Sequence, residues 1–144
     1  MLSVGDVTAL TAEKPVAGGR MLARVAGRIV LVSGAIPGER VRARVECVAK
    51  GVVYAVAETI DEPSADRRPA EGDPLCGGCL YAHITYARQI ALKALVVEDA
   101  FARIAHVTLP GPVGVAPSAE RGYRMRARLH IRGDRFGFFR EGTH

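Results

Sequence analysis

The sequence is poor in cysteine and in aromatic residues, and it lacks long hydrophobic runs. Its 144 residues include three cysteines, four tyrosines, four phenylalanines and no tryptophan. Three cysteines are too few for a disulfide framework, which favours a reduced compartment where thiols serve metal or redox chemistry. No apolar run approaches the length of a membrane-spanning helix, and the N-terminus carries acids by Asp6 and Glu13, unlike a targeting segment. We therefore expect a globular protein of the cytoplasm.

Familiar catalytic motifs are absent as well. The sequence has no glycine-rich phosphate loop, no nucleophile elbow and no paired-carboxylate arrangement. The histidines share no ligand spacing, and a surface or hydrogen-bonded structural role is expected for each of them. We therefore assign no catalytic residue to this chain. The histidines are His83, His106, His130 and His144.

The chain is rich in arginine and carries a formal net charge of +5, with a pI near 9.5. This balance favours an anionic partner, because arginine stacks on bases and pairs with phosphates better than lysine does. The same balance is also common in proteins that bind nothing charged. Charge alone therefore leaves nucleic-acid binding and an ordinary solvated surface as equal alternatives.

Residues 7–60 alternate short β-rich runs with turns that contain glycine. The pattern predicts about five antiparallel strands. Because so small a sheet normally protects its edges by closing on itself, we expect a barrel. The clearest runs are residues 21–25, 28–33, 41–48 and 52–60.

Alternation within the third of these runs predicts the position of one cysteine. Val41, Ala43, Val45 and Cys47 point to one face, and the charged residues between them point to the other. We therefore expect Cys47 to be a buried apolar residue rather than a ligand.

The second half of the chain begins with a change of composition. Residues 61–74 are rich in acids, arginines and prolines, which predicts a linker or irregular loop at a domain boundary. After it, Thr85 can cap a helix that runs to about residue 105. Its apolar residues are spaced to form a single stripe. That stripe consists of Ile90, Ala94, Val97, Phe101 and Ile104.

Residues 121–140 contain seven arginines and one acid. Alternation over residues 123–131 predicts a strand, and Gly133-Asp134 predicts a turn into a second strand at 135–139. One face of the first strand would track a phosphate backbone, with a solvated sheet face as the equal alternative. That face carries Arg124, Arg126, Arg128, His130 and Arg132.

Basic residues also outnumber acids in the first half of the chain. Small barrels often bind single-stranded or irregular RNA on one open face, so Arg20, Arg24 and Arg28 are the candidate phosphate contacts there. The signal is weak on its own, since Tyr54 is the only aromatic residue of the expected barrel.

Cys76-Gly77-Gly78-Cys79 places two thiols two residues apart in a loop that glycines allow to wrap tightly. Both sulfurs can then reach one zinc or iron–sulfur centre. The alternatives are an ordinary pair of thiols and, less expected without a strand-to-helix context, a redox pair. A complete metal site needs four ligands, so Cys76 and Cys79 would form an incomplete set.

In this order, these residues resemble the front of the bacterial RNA uracil-C5 methyltransferase family. The resemblance to the family's TRAM domain, an OB-like RNA-binding barrel, lies in residues 18–20, 27–30 and 34–39. The Pro-Gly-Glu turn is its most recognisable part. The similarity to the family's cluster loop and the following helix lies in residues 64–67 and 76–79 with Tyr86, Gln89, Lys93 and Val97. The similarity to the opening hairpin of the central domain lies in residues 123–126 and 137–139 with His144.

The resemblance implies a mainly β protein with one long helix. A five-stranded TRAM barrel would occupy residues 1–60, a linker and the CGGC loop residues 61–82, and a partial α+β central domain residues 83–144. Family members use S-adenosylmethionine to methylate ribosomal or transfer RNA, and their catalytic residues would lie beyond this chain. We therefore expect an RNA-binding fragment of such an enzyme.

Two positions depart from the family pattern. Many members hold a [4Fe-4S] cluster through a C-x5-C-x2-C run and a later cysteine, but the first position falls on Ala70 and the fourth ligand beyond His144. Either another ligand completes the cluster in the parent protein, or the CGGC sequence is a remnant. Met125 stands where the family usually has asparagine, so that contact is not carried over.

Three functional hypotheses follow. The leading one is an RNA-recognition fragment of a uracil-C5 methyltransferase. The second is a stand-alone TRAM-type RNA-binding module without catalysis, against which the CGGC sequence and the following helix argue. The third, a small iron–sulfur electron carrier, is disfavoured because the cysteines are too few.

Overall fold

The computed structural model describes residues 2–72 and 76–139. Within these ranges the chain forms eight strands and one helix. Predictions that concern Pro74, Arg140 and His144 lie outside the described residues. The elements are β1 (Val7–Thr11), β2 (Lys14–Pro15), β3 (Met21–Val25), β4 (Arg28–Ser33), β5 (Arg40–Ala49), β6 (Val52–Glu62), α1 (Tyr86–Arg103), β7 (His130–Arg132) and β8 (Arg135–Gly137).

The first six strands form one mixed sheet in the order β1-β5-β6-β4-β3-β2. Neighbouring strands are antiparallel except β4 and β6, which pair in parallel with Val30 opposite Val53. Glycine-containing turns connect β3 to β4 at residues 26–27 and β5 to β6 at residues 50–51, where Ala26, Gly27, Lys50 and Gly51 have positive φ. The prediction of a mainly β chain with one helix is confirmed.

The sheet differs from the prediction in strand number and in closure. Among the described residues six strands pair instead of five, and the hydrogen-bonded order leaves β1 and β2 as edges. The β2 edge is only two residues long and consists of Lys14 and Pro15. A short strand with a lysine and a proline discourages further pairing, so this edge is protected without hydrogen-bonded closure.

The core lies on one face of the sheet, as the alternation predicted. Val41, Ala43 and Val45 of β5 are buried, and the arginines between them are exposed. Val30 and Val53 from the parallel pair are also fully buried. Burial of these branched side chains contributes about 1.5–3 kcal/mol each, which makes this face the main source of stability.

The prediction that Cys47 is buried is wrong, because Cys47 is exposed. The pairing register between β5 and β6 shifts between Val45 and Cys47. Such an irregularity adds a residue to one strand, so the side chains beyond it no longer follow the earlier alternation. Cys47 therefore points away from the core that Val45 enters.

Helix α1 begins and ends close to the predicted residues, but its apolar stripe does not face the core. Thr85 occupies the N-cap position without a side-chain capping hydrogen bond. Leu92 is the buried residue of the helix, whereas Phe101 is 43% and Ile104 is 68% exposed. Lys14 of β2 pairs with Asp99 at 2.5 Å, on the same side of the helix as Leu92. The helix is thus rotated so that Val97, Phe101 and Ile104 of the predicted stripe meet solvent.

The predicted strand at residues 123–131 is wrong for most of its length. Only His130–Arg132 forms a strand, which pairs with Arg135–Gly137 around the predicted Gly133-Asp134 turn. No described residue pairs with residues 123–129. Alternation produces a strand only where a neighbouring strand supplies hydrogen bonds, and isolated two-stranded hairpins are marginal. Arg124, Arg126 and Arg128 therefore do not share a strand face.

Across the described ranges, α1 does not combine the length and the apolar character that a helix needs to cross a membrane.

Candidate nucleic-acid interface

A buried carboxylate attaches the segment after β6 to the sheet. Glu39 follows the turn at residues 37–38 and is fully buried. Its carboxylate accepts hydrogen bonds from the amides of Ile36 at 2.9 Å and Ser64 at 3.0 Å. It also accepts two from Arg67, from Nε at 2.7 Å and from Nη2 at 2.6 Å. We refer to the Glu39–Arg67 ion pair with these amide contacts as the clasp.

Glu39 keeps its charge despite its burial. Burial alone would raise the pKa of Glu39, but hydrogen bonds from Arg67, Ser64 and Ile36 and the positive charge of Arg67 hold it below its ordinary value. Arg67 also donates to the carbonyl of Gly34 at 2.8 Å. A buried carboxylate with this set of donors is stable as an anion, because each oxygen has a partner.

The clasp continues into the segment that leads to α1. The Arg68 amide donates to the His83 carbonyl at 2.9 Å, and the Thr85 amide donates to the Asp66 carbonyl at 2.8 Å. The Thr85 hydroxyl donates to the Asp66 carboxylate at 3.1 Å instead of capping the helix. His83 Nε2 lies 3.2 Å from the carbonyl of Ala35. The loop around the cysteines is therefore held against the sheet at both ends.

A glycine allows the β2–β3 turn to approach this loop closely. Gly19 has φ +82°, and a Cβ added there would lie 2.8 Å from Cδ1 and 3.1 Å from Cβ of Leu80. Neighbouring Gly18 has φ +91° and open space around it. Of these two glycines, Gly19 combines a left-handed backbone with a close contact, and this contact joins the sheet to the cysteine loop.

A cleft of about 820 Å³ lies between the sheet and this loop. We refer to it as the sheet cleft. It brings together residues far apart in sequence, including two of the cysteines and one predicted RNA-contact arginine. Ala70, at the position where the family pattern has a cysteine, lines it as well. The cleft is also lined by Arg20, Cys47, Tyr54, Arg67, Cys79 and His83.

Arg20 spans the wall of the sheet cleft. Its guanidinium lies 5.5 Å from the centre of the Tyr54 ring. It also donates to the carbonyls of Ala55 at 3.0 Å and Leu31 at 3.3 Å, and to Glu46 at 3.3 Å. These contacts hold the arginine and the only aromatic ring of the six-stranded sheet in a fixed arrangement.

Of the other predicted arginines of the first half, Arg24 is exposed and Arg28 is half-buried. Arg24 pairs with Glu13, and Arg28 donates to the carbonyl of Leu2 at 3.4 Å. Arg24 and Arg28 both lie at the turn end of the β3–β4 hairpin, where Arg24 is opposite Ile29 and Arg28 is opposite Val25. Neither lines the sheet cleft.

The predicted arginines of the second half lie on the exposed segment before β7. Arg124 lies 5.8 Å from the ring of Tyr123. Arg126 and Arg128 are exposed, and neither makes a hydrogen bond or ion pair within the described part of the chain. These two cations are free to pair with an anionic partner.

The cysteine pair does not form a metal site by itself. The Cys79 amide donates to the Cys76 carbonyl at 2.8 Å, which closes the tight turn that the glycines predicted. Across residues 2–72 and 76–139, no three histidine, cysteine, aspartate or glutamate side chains are placed to hold a metal. A [4Fe-4S] cluster needs four thiolates or equivalent ligands, and Ala70 supplies none. The residues described here do not fit that cluster.

Sequence reasoning missed the clasp and the contact between His83 and the Ala35 carbonyl. Glu39 belongs to the recognisable Pro-Gly-Glu turn, but nothing local shows that its partner is Arg67, 28 residues further along the chain. Burial lowers the pKa of His83, the Ala35 carbonyl raises it, and nearby Arg67 lowers it further. His83 is therefore a neutral structural histidine, in agreement with the role predicted for it.

A mixed β-sheet clasped to a CGGC loop and a following helix agrees with the resemblance to RNA uracil-C5 methyltransferases, and comparison with known proteins confirms that resemblance. No protein-family model matches the chain. The 23S rRNA (uracil(1939)-C(5))-methyltransferase RlmD of Pseudomonas fluorescens Pf-5 is 38% identical over 138 residues, which cover 94% of this chain and 31% of that protein. The enzyme of the same name from Acidithiobacillus ferrooxidans is 37% identical over 116 residues, or 79% of this chain and 26% of that protein.

A solved structure shows the same similarity in three dimensions. The tRNA (uracil-54, C5)-methyltransferase of Pyrococcus abyssi, in complex with S-adenosyl-L-homocysteine, superimposes with a TM-score of 0.55 at 27% identity. The match covers 90% of this chain and 28% of that protein. The chain thus spans less than a third of the length of these relatives.

Proposed function

We propose that this chain is the RNA-recognition part of an S-adenosylmethionine-dependent RNA uracil-C5 methyltransferase that acts on ribosomal or transfer RNA in the cytoplasm. The observation that carries the proposal is 38% identity to a 23S rRNA uracil-C5 methyltransferase over 94% of the chain. The net charge of +5 and the arginine-rich surface support an RNA partner. Methyl transfer and the S-adenosylmethionine site are assigned to no residue of this chain.

The exposed arginines have the character needed for phosphate contacts. Arg126 and Arg128 make no ion pair within the described residues, so their charge is available to RNA. Arg28 adds a cation on the β3–β4 hairpin, where the charge of Arg24 is already paired with Glu13. Arg20, which is held by two backbone carbonyls, serves to position Tyr54 in the sheet cleft. Phosphate contacts fix the register of an RNA without reading its sequence.

The cysteine loop serves as a structural connection in this proposal. Cys76 and Cys79 supply two thiols, which is too few for an iron–sulfur cluster. In a longer protein they would be two of the ligands only if further residues completed the set. We therefore assign the binding of RNA to the chain and assign no iron–sulfur cluster to its described residues.

Methyl transfer tests the proposed activity. The protein encoded by the complete reading frame and the 144-residue chain are each incubated with labelled S-adenosylmethionine and unmodified ribosomal or transfer RNA. We expect label at uridine C5 with the longer protein and none with the chain alone. Absence of label with both proteins would favour the stand-alone RNA-binding module.

Salt dependence tests the RNA contacts. The affinity of the chain for RNA should fall steeply with salt, because each phosphate contact releases counterions. Arg126→Gln/Arg128→Gln should reduce the slope of log affinity against log salt by roughly 1.4, from about 0.7 for each single-strand contact. The measurement is fluorescence anisotropy of labelled RNA over a salt series.

The matched control removes the same charge where the arginines already have acidic neighbours. Arg40 lies 3.7 Å from Glu62, and Arg42 lies 3.7 Å from Asp61. Arg40→Gln/Arg42→Gln should therefore change the salt slope less. Equal slopes for the two double variants would show that only net charge matters and would remove Arg126 and Arg128 from the proposed contacts.

A further inference from the structure

Three of the four tyrosines of the chain line one cleft. Tyr81, Tyr86 and Tyr123 come from the loop after the cysteines, the first turn of α1 and the segment before β7. The cleft has a volume of about 390 Å³. That lies within the roughly 300–1,000 Å³ typical of ligand-binding clefts. We refer to it as the tyrosine cleft.

Hydrogen bonds hold two of the three tyrosines, Tyr81 and Tyr86, in place. The hydroxyl of Tyr86 accepts a hydrogen bond from the Ser118 amide at 2.8 Å, which ties the helix to the segment that carries Tyr123. Gln89 donates to the carbonyls of Tyr81 at 3.0 Å and Ile84 at 2.9 Å. Tyr123 is 58% exposed, so its ring is accessible from solvent.

The charges of the cleft leave one cation available. Arg68 pairs with Glu120, and Arg121 pairs with Glu71. Lys93 also lines the cleft, is exposed, and forms no ion pair within the described ranges. The cleft therefore offers aromatic rings, internally compensated arginines and one lysine that lacks a counter-charge.

We propose that the tyrosine cleft binds an unpaired nucleotide of the RNA, with its base against a tyrosine ring and its phosphate paired with Lys93. This inference rests on the proposed function and adds a specific subsite to it. Aromatic rings beside a cation match the two parts of a nucleotide, because every base has a π-face and every phosphate a negative charge. Exposed Tyr123 is the principal stacking ring.

The absence of tryptophan allows this subsite to be observed directly. Intrinsic fluorescence of the protein comes from its tyrosines, and in Tyr54→Phe every remaining tyrosine lines the cleft. This variant is titrated with a short oligouridylate and with an abasic oligomer of equal length. We expect tyrosine emission to fall with the oligouridylate and to change little with the abasic strand, which has phosphates but no bases.

Two substitutions test the assigned roles. Base stacking on an aromatic residue contributes about 1–3 kcal/mol, so Tyr123→Leu should weaken oligouridylate binding by about 5- to 150-fold. Its effect on the abasic strand should be small. Lys93→Gln should weaken binding of both strands, because it removes a phosphate contact.

The control for Lys93→Gln removes the same charge outside the cleft. Lys50 lies in the β5–β6 turn with φ +48°, a conformation that asparagine tolerates, so Lys50→Asn leaves the backbone unstrained. It should weaken binding less than Lys93→Gln does. Circular dichroism of each variant establishes that it is folded, which is expected at such exposed positions.

The outcomes separate the subsite from the proposed function. Quenching by oligouridylate that is lost in Tyr123→Leu supports the subsite. Salt-dependent RNA binding with unchanged tyrosine emission, or with full affinity in Tyr123→Leu, would overturn the subsite and leave the RNA-recognition function intact. No binding of either strand to the folded chain would overturn both.

Discussion

At the scale of single residues, Glu39 decides how the second half of the chain sits on the sheet. Its carboxylate is fully buried and accepts hydrogen bonds from Ile36, Ser64 and Arg67. A carboxylate that lost Arg67 would remain buried without its counter-charge, which typically costs about 3–5 kcal/mol. The clasp therefore holds Arg67 in the wall of the sheet cleft.

Gly19 makes the second single-residue contribution. We predict that Gly19→Ala lowers the free energy of unfolding by about 2–4 kcal/mol, since it combines backbone strain with a contact to Leu80. Leu80 Cδ1 can move away, but Leu80 Cβ, 3.1 Å from the added atom, is attached to the backbone. Urea denaturation followed by circular dichroism measures the change.

Gly18→Ala is the matched control for this prediction. Gly18 has nearly the same φ, +91°, but an added Cβ there would contact nothing within 4 Å. It should cost only the strain of the left-handed backbone, about 1–2 kcal/mol. Equal losses for the two variants would mean that the approach of the turn to Leu80 contributes nothing to stability.

At the scale of elements, helix α1 shows that an apolar stripe and a packed face need not coincide. Leu92 is fully buried, and Val96 and Asp99 on the same side are partly covered. Ile90 and Ala94 of the predicted stripe are half-buried. The rest of the stripe is exposed, so the sheet and the clasp, rather than the stripe, set the rotation of the helix.

This rotation predicts unequal effects of two substitutions. Leu92→Ala should lower the free energy of unfolding by about 2–5 kcal/mol, because it leaves a cavity at the contact with the sheet. Phe101→Ala, at a side chain that is 43% exposed, should cost about 1 kcal/mol or less. Chemical denaturation of both variants measures the difference. A larger loss at Phe101 would contradict the observed orientation.

At the scale of the whole molecule, two groups connect stability to pH. The pKa of His83 is lowered mainly by burial, and the pKa of Glu39 is lowered because its hydrogen bonds and Arg67 outweigh burial. For both groups the unfolded chain binds protons more readily than the folded chain. Acidification therefore favours unfolding, and the stability present at neutral pH is lost as pH falls.

We predict that the free energy of unfolding decreases below about pH 6.5, the ordinary pKa of a histidine. A further decrease should begin near pH 4.5, where Glu39 would titrate in the unfolded chain. His83→Gln should flatten the first decrease, since glutamine retains a donor for the Ala35 carbonyl and does not titrate. Urea denaturation at a series of pH values measures both phases.

Exposed His106 provides the control for the pH series. Its φ is +54°, so asparagine, which tolerates that backbone, is the suitable replacement. His106→Asn removes a histidine without touching the contact to Ala35, so His83→Gln should flatten the first decrease more than His106→Asn does. If the wild-type curve were flat between pH 7 and pH 5, His83 would not be the neutral buried group that its surroundings indicate.

The sequence by itself determined the features that depend on neighbouring residues. Alternation in residues 41–45 identified the buried face of β5, glycines located the turns, and Thr85 marked the start of α1. Motifs and charge identified the resemblance to RNA uracil-C5 methyltransferases, which the comparisons confirm. These predictions succeed because strand alternation, turn conformation and helix initiation are local properties of the chain.

Only the tertiary structure decided the features that depend on distant residues. A register shift against β6 exposed Cys47, and the partner of Glu39 came from residue 67. Residues 123–129 formed no strand, since none of the described residues pairs with them. The tyrosine cleft likewise joins three segments that are separate in sequence. Each of these depends on which distant groups meet, and a pattern read along one segment contains no information about its partner.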